Sequence, residues 1–266
     1  MRAKTAPPEC EATTKRNRSR KKTPTFAGCR RPIDGLSNIR QNQDLLHSLN
    51  TAYAPPLGGD LYLIYRDDSL IAVNKPAGLL AVPGRGTDKQ DCLASRVQAE
   101  FPDALIVHRL DMATSGLLLF ARGAEMQRRI SQMFREREVQ KRYVAVVSGR
   151  LEPLAGEINL PLISDWQNRP RQKVDRDAGK PSLTRYRRLM HDVNTDSSRV
   201  ILEPVTGRTH QLRVHLAAIG HPILGDALYG GESVIKAERL LLHASMLSFD
   251  HPLSGKLLSL TSEPPF

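Results

Sequence analysis

The apolar segments of residues 59–266 are short and irregularly spaced, and this pattern restricts the fold more than any other feature of the chain. The run at 117–121 is typical, because its length suits a β-strand, and few segments show the spacing of an amphipathic helix. No run approaches the roughly 18 to 20 apolar residues of a membrane span. We therefore predict a domain that does not enter a membrane.

Predicted strands outnumber predicted helices, and the two types do not alternate regularly along the chain. Strands are predicted at 61–66, 70–74, 116–122, 143–148 and 198–205, with two more inside 240–260. Helices are predicted after Asp88 or Asp91 as the N-cap, around 126–134, and at 209–219. This order favours an α+β fold over a doubly wound sheet. We expect a mixed, mainly antiparallel sheet flanked by helices.

Residues 1–58 differ in composition from the rest of the chain. They hold 11 Lys and Arg against 4 Asp and Glu, which accounts for much of the formal net charge of +11. The segment lacks sustained periodicity and includes a basic run at 15–22, so we predict a disordered extension followed by one domain at 59–266. An RNA-contacting arm and an organelle transit peptide remain open for the extension. The positive charge points to a phosphate polymer as the partner.

Several chemistries are disfavoured by composition and by missing motifs. The three cysteines, Cys10, Cys29 and Cys92, form no C-x-x-C pair, which argues against a disulfide scaffold or a zinc site and for a reducing, cytoplasmic location. His210 and His215 are five residues apart, off the spacing of a helical metal pair, so no metal is predicted. Phosphate-binding glycine loops and a hydrolase serine elbow are also missing. Aromatic residues make up only 5%, which argues against a domain that reads RNA on a sheet of stacking aromatics, such as an RRM.

The strongest chemical feature is the segment His-Arg-Leu-Asp at 108–111, followed by Thr-Ser-Gly at 114–116. It places Asp111 in a loop directly before an apolar strand and close to Arg109 in sequence. A neighbouring guanidinium keeps a carboxylate ionised, as a nucleophile or base acting at neutral pH requires. The alternative is an Arg–Asp pair that only stabilises a turn.

A second polar segment runs from 207 to 216. His210 and Arg213 are three residues apart, so we expect them on the same face of the predicted helix. That face is either the polar wall of a cleft or the solvated side of a core helix.

Several segments of the domain, in order, resemble the motifs of the RluA family of RNA pseudouridine synthases. The matching segments are 73–80, 108–116, 141–145, 207–215, 220–226 and 241–244. The resemblance implies the pseudouridine synthase fold with a central RNA-binding cleft, and an isomerase that converts uridine in folded RNA to pseudouridine without a cofactor. The S4 RNA-binding domain that often precedes this fold is not expected, because the extension is short and unpatterned.

The resemblance also implies roles for three residues. Asp111 matches the essential aspartate, which acts on the ribose either by attacking C1′ or by removing the C2′ proton. One carboxylate suffices, unlike in ordinary glycoside hydrolysis, because the uracil is retained. Arg213 matches the basic partner of the aspartate. Tyr143 matches a tyrosine that packs on the uracil and assists proton removal at C5.

A base in an RNA stem or loop has to leave its stack to reach such a pocket. Arg109 matches the residue that fills the vacated space, and a salt bridge to Asp111 is its other role. His108 and His210 are expected beside the RNA in the pocket. Further RNA contacts, with solvation as the alternative, are expected at Lys75, Arg85, Arg169, Arg171, Lys173 and Arg208.

Finer features, at 82–85 and 165–170, resemble one dual-specificity member of the family. They imply action on large-subunit 23S rRNA and on the anticodon stem-loop of tRNA. We expect a monomer. Two interpretations from other classes remain: a catalytically inactive RNA-binding module on the same fold, and a hydrolase or nuclease that uses Asp111 with His108 or His210.

Overall fold

The structure is a computed structural model that describes residues 53–57 and 60–266. Within these ranges the chain forms twelve β-strands and three α-helices. The strands are β1 (Leu63–Arg66), β2 (Leu70–Lys75), β3 (Ala104–Ile106), β4 (Ser115–Arg122), β5 (Gln140–Ser148), β6 (Ala155–Asn159), β7 (Leu162–Ser164), β8 (Gln172–Val174), β9 (Leu183–Asp192), β10 (Ser197–Pro204), β11 (Leu242–Asp250) and β12 (Leu257–Thr261). The helices are α1 (Leu93–Glu100), α2 (Ala124–Glu136) and α3 (Gln211–Ala218). No helix in this part of the chain is long and apolar enough to cross a membrane.

Ten of these strands form one mixed sheet. Its order is β1-β2-β4-β11-β5-β10-β9-β6, with β3 paired to β4 and β12 paired to β11. Strands β4 and β11 run parallel, whereas the other pairs of the described strands are antiparallel. Strands β7 and β8 form a separate hairpin. The predicted α+β class with a mixed, mainly antiparallel sheet is therefore confirmed.

Strand β4 is the buried centre of one half of the sheet. Leu118 and Phe120 belong to a core cluster with the apolar face of α1, whereas Leu117 and Leu119 belong to a cluster with α2 on the opposite side. Burial on both faces explains why the run at 117–121 is continuously apolar rather than alternating. Each of these side chains contributes roughly 1.5–3 kcal/mol on burial. The strand therefore anchors the loop at 107–114 that leads into it.

The predicted strands and helices are all present, with ends shifted by a few residues. The predicted cap of α1 is wrong. The N-cap is Cys92, whose thiol accepts the backbone N–H of Ser95, while the Ser95 hydroxyl accepts the backbone N–H of Cys92. Asp91 instead forms an ion pair with Arg96 at 2.7 Å. Sequence reasoning missed β3 and β6 to β9.

Part of the predicted extension contacts the domain. The Tyr53 hydroxyl donates to the backbone oxygen of Asp91 at 2.8 Å and accepts the backbone N–H of Leu80 at 3.0 Å. The backbone oxygen of Pro56 accepts a hydrogen bond from Arg96 at 2.8 Å. Residues 53–57 are thus tied to α1 and its preceding loop. The basic run predicted at 15–22 lies outside the described residues, and the division at residue 58 stays a prediction.

Candidate active site

A cavity of about 530 Å³ opens between the loop that precedes β4 and the loop that precedes α3. The end of α2 and the start of β5 complete its walls. Its volume suits a ligand the size of one nucleotide. No group of three or more His, Cys, Asp or Glu side chains that could hold a metal ion occurs among the described residues. The charged residues that line the cavity are one carboxylate and six cations: Asp111, with Arg109, Arg135, Arg137, Lys141, Arg208 and Arg213.

Asp111 is joined to a buried ion pair. Arg213, in α3, donates Nε and Nη2 to the two oxygens of Asp226 at 2.8 and 2.7 Å. Its remaining Nη1 donates to Oδ2 of Asp111 at 3.2 Å. Burial disfavours the charge of Arg213, but the hydrogen bonds and charges of Asp226 and Asp111 raise its pKa above the usual value. Arg213 is therefore a fixed cation that points at Asp111.

Asp226 is held in one orientation by backbone N–H groups and in turn orients Arg213. It is 1% exposed, and its Oδ1 also accepts the backbone N–H groups of Leu228 and Tyr229 at 2.9 and 3.1 Å. These contacts hold the carboxylate in one orientation, and the bidentate geometry then orients the guanidinium of Arg213. Asp111, by contrast, keeps 22% of its side chain exposed to the cavity.

His210 lies near Asp111, but it precedes the helix instead of forming part of it as predicted. The predicted helix began at Thr209, but α3 begins at Gln211, and His210 precedes it in the left-handed conformation with φ 55°. Its Nε2 still lies 3.8 Å from Oδ2 of Asp111, and its Nδ1 lies 2.7 Å from the hydroxyl of Tyr229. Burial lowers the pKa of His210 despite the nearby charge of Asp111. We infer a neutral imidazole at pH 7.

Gln211 fixes the turn that carries His210. Its buried amide oxygen accepts the backbone N–H of Arg208 at 3.0 Å and the hydroxyl of Thr206 at 2.7 Å. Its amide nitrogen donates to the backbone oxygen of Leu183 and the hydroxyl of Thr184, both at 3.0 Å. The loop before α3 is thereby attached to β9, and Arg208 is held exposed at the cavity rim.

Tyr143 stands in β5, at the centre of the sheet, and lines the cavity. Burial, together with the charge of Asp111, raises the pKa of Tyr143. The phenol therefore stays protonated at neutral pH and presents an apolar ring with an O–H donor. Lys141, two residues earlier, lines the same cavity, as the period of two along a strand requires.

His108 lines the cavity, but its ring is held by contacts with other residues of the protein. Its Nε2 accepts the backbone N–H of Leu119 at 2.9 Å, and its ring stacks on Phe134 with 4.6 Å between centroids. Burial, aided by Lys141, lowers the pKa of His108 to about 3. The ring is thus neutral, and it supplies no positive charge for an RNA contact.

The predicted RNA contact of Lys75 is wrong, because the side chain is fully buried. Its Nζ donates to the backbone oxygens of Pro76, Leu79 and Met112 at 2.9, 2.7 and 3.0 Å. Burial lowers the pKa of Lys75 to about 7. Since Met112 follows Asp111, Lys75 ties the loop that carries the carboxylate to the loop after β2.

The other predicted residues divide into two groups. Arg109 is exposed at the cavity, and the partner of Asp111 is Arg213 rather than Arg109. Arg208 and His210 also line the cavity. The remaining predicted RNA contacts, which are exposed but are not among the lining residues, are Arg85, Arg169, Arg171 and Lys173.

Several residues of the site carried no prediction from the sequence. Lys141 had a detectable signal, because it shares the strand face of Tyr143. Asp226 had none beyond its place in a motif segment, since its partner is 13 residues away across a loop. The residues for which no role was predicted are Phe134, Arg135, Arg137 and Lys141, which line the cavity, and Asp226 and Tyr229, which do not line it but contact Arg213 and His210.

Comparisons with known proteins agree on one family. Residues 69–218 match the family model described as RNA pseudouridylate synthase. The chain is 47% identical over 215 residues to the dual-specificity RNA pseudouridine synthase RluA of Escherichia coli strain K12, which covers 80% of this chain and 98% of the relative. The enzyme with the same description in Pasteurella multocida strain Pm70 is 47% identical over 216 residues, covering 81% and 98%.

Two solved structures resemble the fold. Human RNA Pseudouridylate Synthase Domain Containing 1 has a TM-score of 0.67 and 31% identity, covering 80% of this chain and 87% of the other. Human RNA Pseudouridylate Synthase Domain Containing 4 has a TM-score of 0.61 and 24% identity, covering 85% and 94%. The second likeness bears on the fold alone.

Proposed function

Because this chain belongs to the RluA-type RNA pseudouridine synthase family, we propose that it converts uridines to pseudouridine in 23S rRNA and in the anticodon stem-loop of tRNA. The family and the isomerase class predicted from the motifs are confirmed. The choice of these two RNAs rests on the description of the relatives as dual-specificity enzymes. The observation that carries the proposal is a lone carboxylate, Asp111, paired with a buried arginine in a cationic cavity.

Asp111 is the residue that acts on the ribose. The N1–C1′ bond of the uridine breaks, the uracil rotates within the cavity, and a C5–C1′ bond forms. The carboxylate either attacks C1′ and is displaced when C5 bonds there, or removes the C2′ proton and returns it when the C5–C1′ bond forms. C5 then loses its proton and N1 carries one, so the product is an isomer of the uridine. Arg213 keeps the carboxylate oriented, and Asp226 keeps Arg213 oriented. The neutral phenol of Tyr143 packs on the uracil ring.

The uridine reaches the cavity by leaving its base stack. Arg109 is exposed at the cavity and free of a salt bridge to Asp111, so its planar guanidinium is available to fill the space that the base vacates. Arg135, Arg137 and Lys141 add positive charge where the end of α2 and the start of β5 line the cavity. Phosphates next to the target uridine bind these cations.

The exposed cations outside the cavity extend this binding along the RNA. Contacts of this kind position the substrate without reading its sequence. The residues we assign to them are Arg85, Arg169, Arg171, Lys173 and, at the rim, Arg208.

The extension at 1–58 and the cellular setting complete the proposal. The excess of Lys and Arg in residues 1–58 suits a non-specific contact with RNA phosphates. We assign catalysis to residues 59–266, acting as a monomer in the cytoplasm, where rRNA and tRNA of bacteria such as those of the relatives are found.

The test is tritium release from RNA that carries tritium at C5 of uridine. The substrates are a tRNA anticodon stem-loop and a hairpin from 23S rRNA, and the enzymes are the wild type, Asp111→Ala and Asp111→Asn. We expect release from both RNAs by the wild type and none by either variant, because the variants lack the group that acts on the ribose. RNA affinity and thermal unfolding should stay close to the wild type.

Two results would contradict parts of the proposal. Turnover by Asp111→Ala would show that another residue acts on the ribose. Release from one RNA alone would show that the enzyme lacks the dual specificity of its relatives.

A further inference from the structure

Trp166 is the only tryptophan of the chain, and it stands in the loop between β7 and β8 with 71% of its surface exposed. Tryptophan side chains are on average largely buried, because they carry a large apolar area. An exposed one in a charged loop therefore needs an explanation other than stability. The proposed catalytic mechanism makes no use of it.

The loop that presents Trp166 is held in one conformation by its own hydrogen bonds. The backbone N–H of Asp165 donates to the oxygen of Arg171 at 3.0 Å, and the N–H of Arg171 donates to the oxygen of Asn168 at 3.0 Å. The N–H of Asn168 donates to the oxygen of Asp165 at 3.2 Å, and its side-chain amide donates to the Asp165 carboxylate at 2.9 Å. The indole is therefore presented by a preformed turn.

One face of the indole is already covered. The guanidinium of Arg169 lies 3.3 Å from the centroid of the ring, which is a close cation–π contact. The exposed area therefore belongs mainly to the other face and the ring edge. Arg171 and Lys173 are also exposed beside the loop, whereas the acid in it, Asp165, is engaged by Asn168. An open aromatic face flanked by cations matches the chemistry of a nucleobase with its phosphates.

The loop is connected to the active site through three contacts. The backbone N–H of Gln172, directly after the loop, donates to the hydroxyl of Tyr229 at 2.7 Å. That hydroxyl lies 2.7 Å from Nδ1 of His210, whose Nε2 lies 3.8 Å from Asp111. The C-terminal end of the loop is therefore linked to Asp111 through Tyr229 and His210.

We propose that Trp166 is a stacking platform that receives an unpaired nucleobase of the RNA substrate near the target uridine, while Arg169 and Arg171 bind the adjacent phosphates. The inference rests on the proposed function and names a further substrate-binding site for it. Stacking on an aromatic ring tolerates any base, since every base has a π-face. Such a contact suits an enzyme that accepts two unlike RNAs.

The first test uses the intrinsic fluorescence of Trp166, which is the whole tryptophan emission of the chain. Asp111→Asn protein, which holds the RNA without turnover, is titrated with the anticodon stem-loop, while the anisotropy of a fluorescein on the RNA is followed in parallel. We expect the emission to be quenched with the same midpoint as the anisotropy, because a stacked base quenches the indole. Unchanged emission at saturated anisotropy would overturn the proposal.

The second test compares three variants in an otherwise wild-type chain. Trp166→Ala should weaken RNA binding about tenfold, or about 1.4 kcal/mol, which is within the usual contribution of one stacked base. The KM of this variant should rise by a similar factor, while its kcat stays within about twofold of the wild-type value. Trp166→Phe keeps an aromatic face and should therefore recover most of the affinity. Leu257→Ala is the matched control, because Leu257 is also 71% exposed but lies on β12, opposite Asp250 at the far end of β11.

The outcomes separate this inference from the function on which it rests. Pseudouridine formation by the wild type, with Trp166→Ala binding and reacting like the Leu257→Ala control, would overturn the platform and leave the function intact. If none of the RNAs yielded pseudouridine, the proposed function would be wrong. The fluorescence titration would still show whether a base stacks on Trp166. Loss of affinity in Trp166→Phe as large as in Trp166→Ala would contradict stacking.

Discussion

At the scale of single residues, the orientation of Asp111 depends on a carboxylate that does not line the cavity. Asp226 holds two of the guanidinium nitrogens of Arg213 and leaves one for Asp111. Removing one partner of a buried ion pair leaves the other charge uncompensated. In the proposed mechanism Asp226 is therefore a positioning residue, and we expect its loss to affect catalysis as well as stability.

We predict that Asp226→Asn lowers kcat about 100-fold with a smaller change in KM, because misplacing a catalytic group by about 1 Å costs that much. The free energy of unfolding should fall by about 3 kcal/mol. Single-turnover kinetics and urea denaturation measure the two effects. The matched control is Asp103→Asn, which breaks the surface pair with Arg122 and should cost at most about 1 kcal/mol. A wild-type kcat in Asp226→Asn would mean that Arg213 is oriented without it.

At the scale of elements, the position of the loop that carries Asp111 is set by the parallel pairing of β4 with β11. Gly116 opposes Ala244 in this pair, with φ at +113°, and a methyl group on it would overlap the backbone of Ala244. The pairing brings the chain at Ser115 directly beside β11, so that the loop with Asp111 enters the sheet at its centre. Only glycine allows this approach, which explains the Thr-Ser-Gly segment that follows the carboxylate.

We predict that Gly116→Ala lowers the free energy of unfolding by at least about 3 kcal/mol, from backbone strain and from displacement of β11. Gly123→Ala is the control, because Gly123 also has a positive φ, +77°, but faces open space. It should cost about 1 kcal/mol. Equal losses in the two variants, measured by urea denaturation, would show that the overlap with Ala244 is relieved at no cost.

At the scale of the whole molecule, several histidines are buried in the neutral form. Burial lowers the pKa of His108 to about 3 and that of His243 to about 4, and it also lowers the pKa of His210 and His215. In the unfolded chain each imidazole takes a proton near pH 6.5. The unfolded state therefore binds more protons below pH 6.5, so the stability that is present above this pH is lost as the pH falls toward the folded-state pKa.

We predict that the free energy of unfolding falls by on the order of 3 kcal/mol between pH 6.5 and 4.5, since each such histidine contributes up to about 1.4 kcal/mol per pH unit. Urea denaturation at a series of pH values measures it. His243→Gln should reduce the slope of the free energy of unfolding against pH by the equivalent of up to one bound proton, even if it lowers the overall stability. A profile that is level over this range would show that these imidazoles become protonated in the folded state.

Local patterns in the sequence predicted much of the fold. The strand at 116–122 and the helix around 126–134 have a periodicity that depends only on neighbours along the chain, and both are present. Strand β9 was missed because its exposed positions carry arginines, and its burial depends on β10 and β6 on either side. The start of α3 was misplaced because the left-handed turn at His210 is imposed by tertiary contacts of the loop and of Gln211.

The sequence by itself determined seven of the twelve described strands and the three described helices, the family through its ordered motifs, and the candidate carboxylate, Asp111. The tertiary structure alone decided what surrounds that carboxylate. Arg213 meets Asp111 across 102 residues, Asp226 holds Arg213, and Lys75 is buried beneath the loop instead of facing RNA. The physical reason is that periodicity indicates which face of an element is buried. Contacts between side chains that are distant in sequence depend instead on which strands lie next to each other in the folded sheet.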